Sequence, residues 1–282
     1  VSTMSASQSD GSQSPVVEQE KVSLKCPSGA SVEALVARSG AGPRFVFLHG
    51  LVGLNEHWED VVGKVSERVS CVTLELPLLE LRGADCSIES VSEITERFLT
   101  DHLDGPSVLV GNSFGGHVAL RIAHSRPDLV RGMVLAGSSG LFERTMVKGA
   151  PVRPNRDWLE VKIGELFYDK SKMSQADVDR AHAVLNAKGG ARAMVRLSKS
   201  ARRNHLGDEL TSIACPTLLV WGREDVVTPP SAAEEFMKLL PDPRIVWIDE
   251  CGHAPMIESP EVFAKAVVDF ADELDEIANG AG

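Results

Sequence analysis

What most constrains the fold of this chain is a repeated alternation. Short, mostly apolar runs, at 45–48, 71–76, 107–110, 132–136, 217–221 and 244–248, are separated by longer segments with apolar residues at helical spacing. A strand with one wet face shows a polar residue at every second position; apart from Thr73 and Glu75 in the second run these segments do not, so they read as strands buried on both faces. Helical spacing occupies 57–69, 88–103, 115–125, 231–240 and 260–277, with Val91, Ile94, Phe98 and Leu99 on one side of the second. Strands covered by helices on both faces imply a mostly parallel sheet. Its strands then end on one common edge, where sites form. Ahead of the alternation, Val22–Cys26 and Val32–Arg38 flank a Pro27-Ser28-Gly29 turn and read as a hairpin.

The alternation stops between Gly140 and Gly207. Helical patterns at 158–167, 175–185 and 190–203 follow one another there with no buried strand between them. Residues 141–210 are therefore expected to be a helical cap inserted in an α/β core of 20–140 and 211–282. Six of the first fourteen residues are Ser, so 1–19 is expected to be a disordered tail. Charge divides along the same line. Residues 141–210 carry 14 basic and 9 acidic residues, whereas the whole chain carries 29 and 40, a net charge of −11. An acidic chain lacks the basic footprint that phosphate binding needs, which excludes nucleic acid as the main partner. No apolar stretch approaches the length of a membrane span, and no apolar leader opens the sequence. Five scattered cysteines without a Cys-x-x-Cys or Cys/His cluster argue against a disulfide framework and a structural zinc, and favour a cytoplasmic setting.

The chemistry is expected on the strand-end edge. Gly111-Asn112-Ser113-Phe114-Gly115-Gly116 lies between the strand at 107–110 and the helix that follows. A sharp turn there would hold Ser113 in a strained conformation with its hydroxyl exposed. Gly111 and Gly115 would remove side chains that would strike the neighbouring strand and helix. A serine needs a base. The strand at 217–221 is followed by Gly222-Arg223-Glu224-Asp225, and the strand at 244–248 by Cys251-Gly252-His253. His253 is the expected base and Asp225 the acid that orients it, with Glu224 as the alternative acid. The backbone N–H groups of Phe114 and of Leu51, which follows His49-Gly50, are the expected oxyanion donors. No metal cluster, P-loop or G-x-G-x-x-G occurs, so no cofactor is implied.

Together these pieces resemble the capped, single-domain α/β-hydrolases. The resemblance is carried by Phe47-Leu48-His49-Gly50, Gly111–Gly116, Arg126-Pro127-Asp128 with Val130, Leu218–Asp225 and Gly252-His253-Ala254-Pro255, spread over residues 45 to 270. It implies a Ser-His-Asp triad and a helical cap over the site. Ser113 stands where the dehalogenases and epoxide hydrolases of this family carry Asp. Two departures stand out. Glu75-Leu76-Pro77-Leu78 replaces the frequent Asp-x-Pro-Gly, and Ala254 replaces the Trp that usually follows the histidine in the C–C hydrolases of aromatic ring-fission pathways.

The function expected is hydrolysis of small-molecule carboxylic esters through an acyl-enzyme on Ser113. The alternatives are a C–C hydrolase of vinylogous diketones that holds the substrate carboxylate with a cap arginine, or a slow-turnover small-molecule receptor. Sequence does not fix the oligomeric state. His49 is expected to shape its loop, His117 to pack against the sheet, His57 and Trp58 to pack at a helix start, and Cys251 to be inert. Phe142, Trp158, Leu159, Phe167, Tyr168 and Met173 are expected to form cap core. Lys188, Arg192, Arg196, Lys199 and Arg203 fall on one stripe of a helix, expected to be solvated, with attraction of anionic substrates as the alternative.

Overall fold

A computed structural model describes residues 17–142 and 153–280. The leading hairpin is β1 (Glu18–Lys25) and β2 (Ser31–Ser39), paired antiparallel. Strand β1 thus takes up Glu18 and Gln19, which the sequence reading gave to the tail; alternation of Val22 and Leu24 into the core draws the strand on. The buried runs become β3 (Arg44–Leu48), β4 (Ser70–Glu75), β5 (Ser107–Asn112), β6 (Val130–Ala136), β7 (Thr217–Gly222) and β8 (Pro243–Ile248). One sheet results, in the order β1-β2-β4-β3-β5-β6-β7-β8, antiparallel through the β2–β4 pair and parallel from β4 to β8.

The helices divide between the two faces because strand residues alternate. Phe45, Phe47, Val108 and Val110 face α1 (Glu59–Val65) and the long closing helix α9 (Pro260–Gly280). Val46, Leu48 and Leu109 face α2 (Ile88–His102), α3 (Phe114–Ser125) and α7 (Pro230–Leu239). The helix expected at 57–69 is shorter than its periodicity suggested, with a 3₁₀ turn at Asn55–Trp58 ahead of α1. Trp58 explains the position of that turn. Its ring is fully buried between Phe47 and Phe263, with centroids 5.3 and 5.8 Å away.

Between β6 and β7 the chain forms α4 (Arg156–Gly164), α5 (Gln175–Asn186) and α6 (Gly190–Arg203). Leu159, Val178 and Leu185 from this insertion close over Leu79, making a small apolar cluster of their own. Phe167 joins the sheet core instead, while Phe142 and Tyr168 are exposed. The stripe residues Arg192, Arg196, Lys199 and Arg203 lie exposed along α6, and Lys188 lies exposed in the turn just before it. Among the described residues, no helix is long and apolar enough to cross a membrane.

Candidate active site

Parallel pairing of β3 to β8 brings five loops to one edge. His49-Gly50 leaves β3, Ser113 leaves β5, Gly137 leaves β6, Asp225 leaves β7 and His253 follows β8.

Ser113 sits in the turn between β5 and α3 at φ 53°, ψ −115°. Only Ser113 and Glu250 among the described non-glycine residues have positive φ. Such a conformation costs about 1–3 kcal/mol and persists only where the surroundings hold it. Here the Ser113 N–H donates to Ala136 O (3.0 Å), and its carbonyl accepts from the N–H groups of His117 (3.2 Å) and Ser139 (3.1 Å). The glycines are needed for the reason the sequence suggested. A Cβ on Gly111 would lie 2.5 Å from the Gly115 carbonyl, and one on Gly115 would lie 2.2 Å from Leu48 O of β3. Ser113 remains half-buried in a stretch that is otherwise buried.

Asp225 and His253 meet across 28 residues of chain, with His253 Nδ1 2.8 Å from Asp225 Oδ2. Both side chains are buried. The carboxylate is held from the other side as well. Oδ1 accepts the N–H groups of Val227 (2.8 Å) and Thr228 (3.0 Å), and Oδ2 accepts the Thr228 hydroxyl (2.8 Å). An ionised carboxylate is an acceptor only, so His253 donates from Nδ1 and keeps the Nε2 lone pair. Glu224, the alternative acid, turns elsewhere: its Oε2 accepts the Cys251 N–H at 3.0 Å. The two loops close on the turn through Asn112, whose Nδ2 donates to Ala136 O (3.0 Å) and His253 O (3.1 Å). Gly137, at φ +49°, fits beneath this junction, since a Cβ there would stand 3.0 Å from both Asp225 Oδ2 and His253 Nδ1.

Gly50 lies against the same turn, where a Cβ would be 3.5 Å from Ser113 Cβ. His49 shapes this loop: it is buried, its Nδ1 donates to Gly50 O (2.7 Å), and its Nε2 accepts the Leu76 N–H (3.1 Å). Burial pushes its pKa down and keeps it neutral. The Leu76 bond also anchors the loop that departs from Asp-x-Pro-Gly. Leu51 follows in the turn, half-buried. Phe114 is the first residue of α3, a position whose N–H has no partner within the helix.

Thr228, His57 and Arg180 act in ways that sequence spacing did not signal. Thr228 braces Asp225. His57 Nε2 meets Asp177 Oδ2 of α5 at 3.1 Å, tying the core to the insertion. Arg180 of α5 donates through Nη2 to Val52 O (2.9 Å), just beyond Leu51, and its buried Nε has no hydrogen-bond partner among the described residues. His117 is fully buried on α3, with Nε2 3.1 Å from Asn204 O, and burial pushes its pKa down to about 3. Cys251 is buried, and desolvation, reinforced by Glu258, pushes its thiol up to about 12, away from a reactive thiolate. All five cysteines are free. Among the described residues, no group of three or more His, Cys, Asp or Glu side chains is placed to hold a metal ion.

The sequence pattern of the alpha/beta hydrolase family matches residues 45–266, well over half of the chain. The protein is an alpha/beta hydrolase. It is 31% identical over 254 residues to a pimeloyl-[acyl-carrier protein] methyl ester esterase of Nitrosomonas europaea, covering 82% of this chain and 96% of that one. It is 26% identical over 269 residues to the 2-hydroxy-6-oxo-6-(2'-aminophenyl)hexa-2,4-dienoic acid hydrolase of Metapseudomonas resinovorans, covering 90% and 92%. Among solved structures, the hydrolase MGS-MChE2, from a sediment metagenome of the Mar Chica lagoon, superposes with TM-score 0.70 at 29% identity, over 86% of this chain and 96% of that one. This alpha/beta hydrolase is thus an enzyme whose relatives include a methyl ester esterase and a dienoic acid hydrolase.

Proposed function

We propose that this alpha/beta hydrolase cleaves carboxylic esters of small molecules through an acyl-enzyme on Ser113. The observation that carries the reading is the 2.8 Å contact of His253 Nδ1 with Asp225 Oδ2, on the sheet edge that also bears the strained Ser113 turn. His253 takes the Ser113 proton through Nε2 as Oγ attacks the carbonyl, then gives it to the leaving alcohol. Asp225 orients the imidazole and stabilises its cation. The N–H groups of Phe114 and Leu51 stabilise the oxyanion, a role supported by the start of α3 at Phe114 and by the contact of Gly50 with the Ser113 turn. Water activated by His253 then releases the acid. The groups needed are all side chains and backbone of this chain. Helices α4 to α6 serve as a cap over this edge, which the reach of Arg180 to Val52 O supports.

A second reading, hydrolysis of a C–C bond in a vinylogous diketone, is favoured by one observation. The guanidinium of Arg180 already pairs with Asp177 through Nη2 (3.3 Å), but its buried Nε has no hydrogen-bond partner among the described residues, which leaves the insertion one cationic donor near the Gly50 loop for a substrate carboxylate.

The test is turnover of p-nitrophenyl esters from acetate to decanoate, with Ser113→Ala alongside. Ser113-dependent turnover with a chain-length optimum is expected, together with covalent labelling by a fluorophosphonate that the variant abolishes. Labelling without ester turnover, but with turnover of a ring-fission diketone, would replace the first reading by the second.

A further inference from the structure

Glu258 ends a short helix, α8 (Pro255–Glu258), that the sequence reading, with its closing helix at 260–277, did not pick out. Its carboxylate joins two segments about ninety residues apart. Oε1 accepts the Gly252 N–H at 2.8 Å, and Oε2 accepts the N–H groups of Tyr168 (2.8 Å) and Asp169 (3.1 Å). Beside them the His253 N–H donates to Leu166 O at 2.7 Å. Four hydrogen bonds therefore fasten the loop that carries His253 to the segment of the insertion that leaves α4, three of them through one side chain.

The fit at this joint is close. A Cβ on Gly252 would lie 2.5 Å from Leu166 O, 2.9 Å from Tyr168 N and 3.1 Å from Glu258 Oε1. Two of these are backbone atoms that cannot swing aside, so the approach of the two segments accepts only glycine at 252. Burial pushes the Glu258 carboxyl up, against the three backbone donors that pull it down. A carboxylate withdrawn from water holds its donors more firmly than an exposed one. None of the three N–H groups has another carboxylate or carbonyl partner among the described residues.

We propose that Glu258 is a positioning residue that couples the insertion to His253, so that the base is correctly placed only while the segment 166–169 is docked. The proposal rests on the reading of His253 as the base. Glu258 reaches neither substrate nor the reacting atoms; it acts through the backbone of Gly252 and His253. Movement of the segment after α4 would pull on His253 directly through Leu166 O, and Glu258 is the clamp that resists it.

The test compares the full-length wild type with Glu258→Ala, Glu258→Gln, Gly252→Ala and the Glu258→Ala/Gly252→Ala double variant. Readouts are kcat and KM on the best p-nitrophenyl ester, the rate of fluorophosphonate labelling, and amide hydrogen exchange in peptides covering 165–170 and 250–254. Displacement of a catalytic group by about 1 Å costs about 100-fold in rate. Glu258→Ala is expected to lower kcat and the labelling rate by about that factor with KM nearly unchanged. Both peptides should lose protection together while those of β5 and β7 keep theirs. Glu258→Gln should fall between, since its single amide oxygen can serve only one side of the joint. Gly252→Ala acts on the same joint, so the double variant should be little slower than the worse single one.

Wild-type kcat in Glu258→Ala, exposure of only one of the two peptides, or multiplying losses in the double variant would each overturn the coupling. Full turnover by Ser113→Ala would overturn the acyl-enzyme reading instead, and this proposal with it. An inactive Ser113→Ala beside a fully active Glu258→Ala would remove this proposal alone.

Discussion

Replacing Asp225 by asparagine should disable the enzyme while leaving its fold intact, and the structure says why. The amide can sit in two orientations. Oδ1 of Asp225 accepts two backbone N–H groups, from Val227 and Thr228. Turning the amide nitrogen toward them would leave two buried donors unsatisfied, at about 1–3 kcal/mol each. The carbonyl oxygen therefore keeps that place, and the NH₂ takes the Oδ2 position against His253 Nδ1 and the Thr228 hydroxyl. The hydroxyl adapts by accepting from the amide and donating to Gly137 O, 3.0 Å away. Imidazole adapts by moving its proton to Nε2, which costs far less than stranding two amides. A histidine protonated at Nε2 cannot take the Ser113 proton. Tautomer loss of this kind in serine triads lowers kcat about 10⁴-fold, or about 5.4 kcal/mol of transition-state stabilisation. Steady-state ester hydrolysis gives kcat, and thermal unfolding by circular dichroism checks the fold, which should melt within a few degrees of wild type. A variant within about tenfold of wild type would refute the tautomer argument and the role of Asp225 with it.

Two further outcomes follow from buried positions outside the charge pair. Gly115→Ala drives a Cβ to 2.2 Å from Leu48 O, a backbone atom of the central sheet. It should cost about 3 kcal/mol or more and lower Tm by roughly 6–12 °C. Gly63→Ala, in α1 with nothing within 4 Å of its Cβ, should leave Tm level or raise it slightly. Equal effects of the two would show that close approach is not what requires Gly115. His117, held down to about 3 by burial, ties stability to pH. The unfolded chain takes up this proton near pH 6.5 and the folded chain near 3, so the stability is present above 6.5 and is lost as pH falls toward 3. Between pH 6.5 and 5 the loss is about 2 kcal/mol. Urea unfolding at those two pH values should show His117→Gln losing less than wild type by about that amount, and parallel losses would rule the linkage out.

How much could be read in advance depends on the range over which each feature is encoded. Periodicity and turn chemistry act within a dozen residues. The strands, the helices of both faces, the three-helix insertion between β6 and β7 and the glycine-flanked Ser113 turn were therefore legible along the chain, and the chain order of serine, acid and histidine with them. Helix α8 escaped notice because four residues are too few for a period to declare itself. The two carboxylates at 224 and 225 leave the same strand, and nothing local separates them. What does is the turn at 225–228, whose backbone N–H groups seize one oxygen of Asp225 and aim the other at His253, while Glu224 swings to Cys251. Likewise His57 gave no sign of its partner 120 residues away in α5, nor Glu258 of its partners near 168. Periodic burial is a property of a segment and is written in the segment. Hydrogen bonds between distant segments depend on which backbone groups the packed elements leave facing each other, and only the tertiary structure decides that.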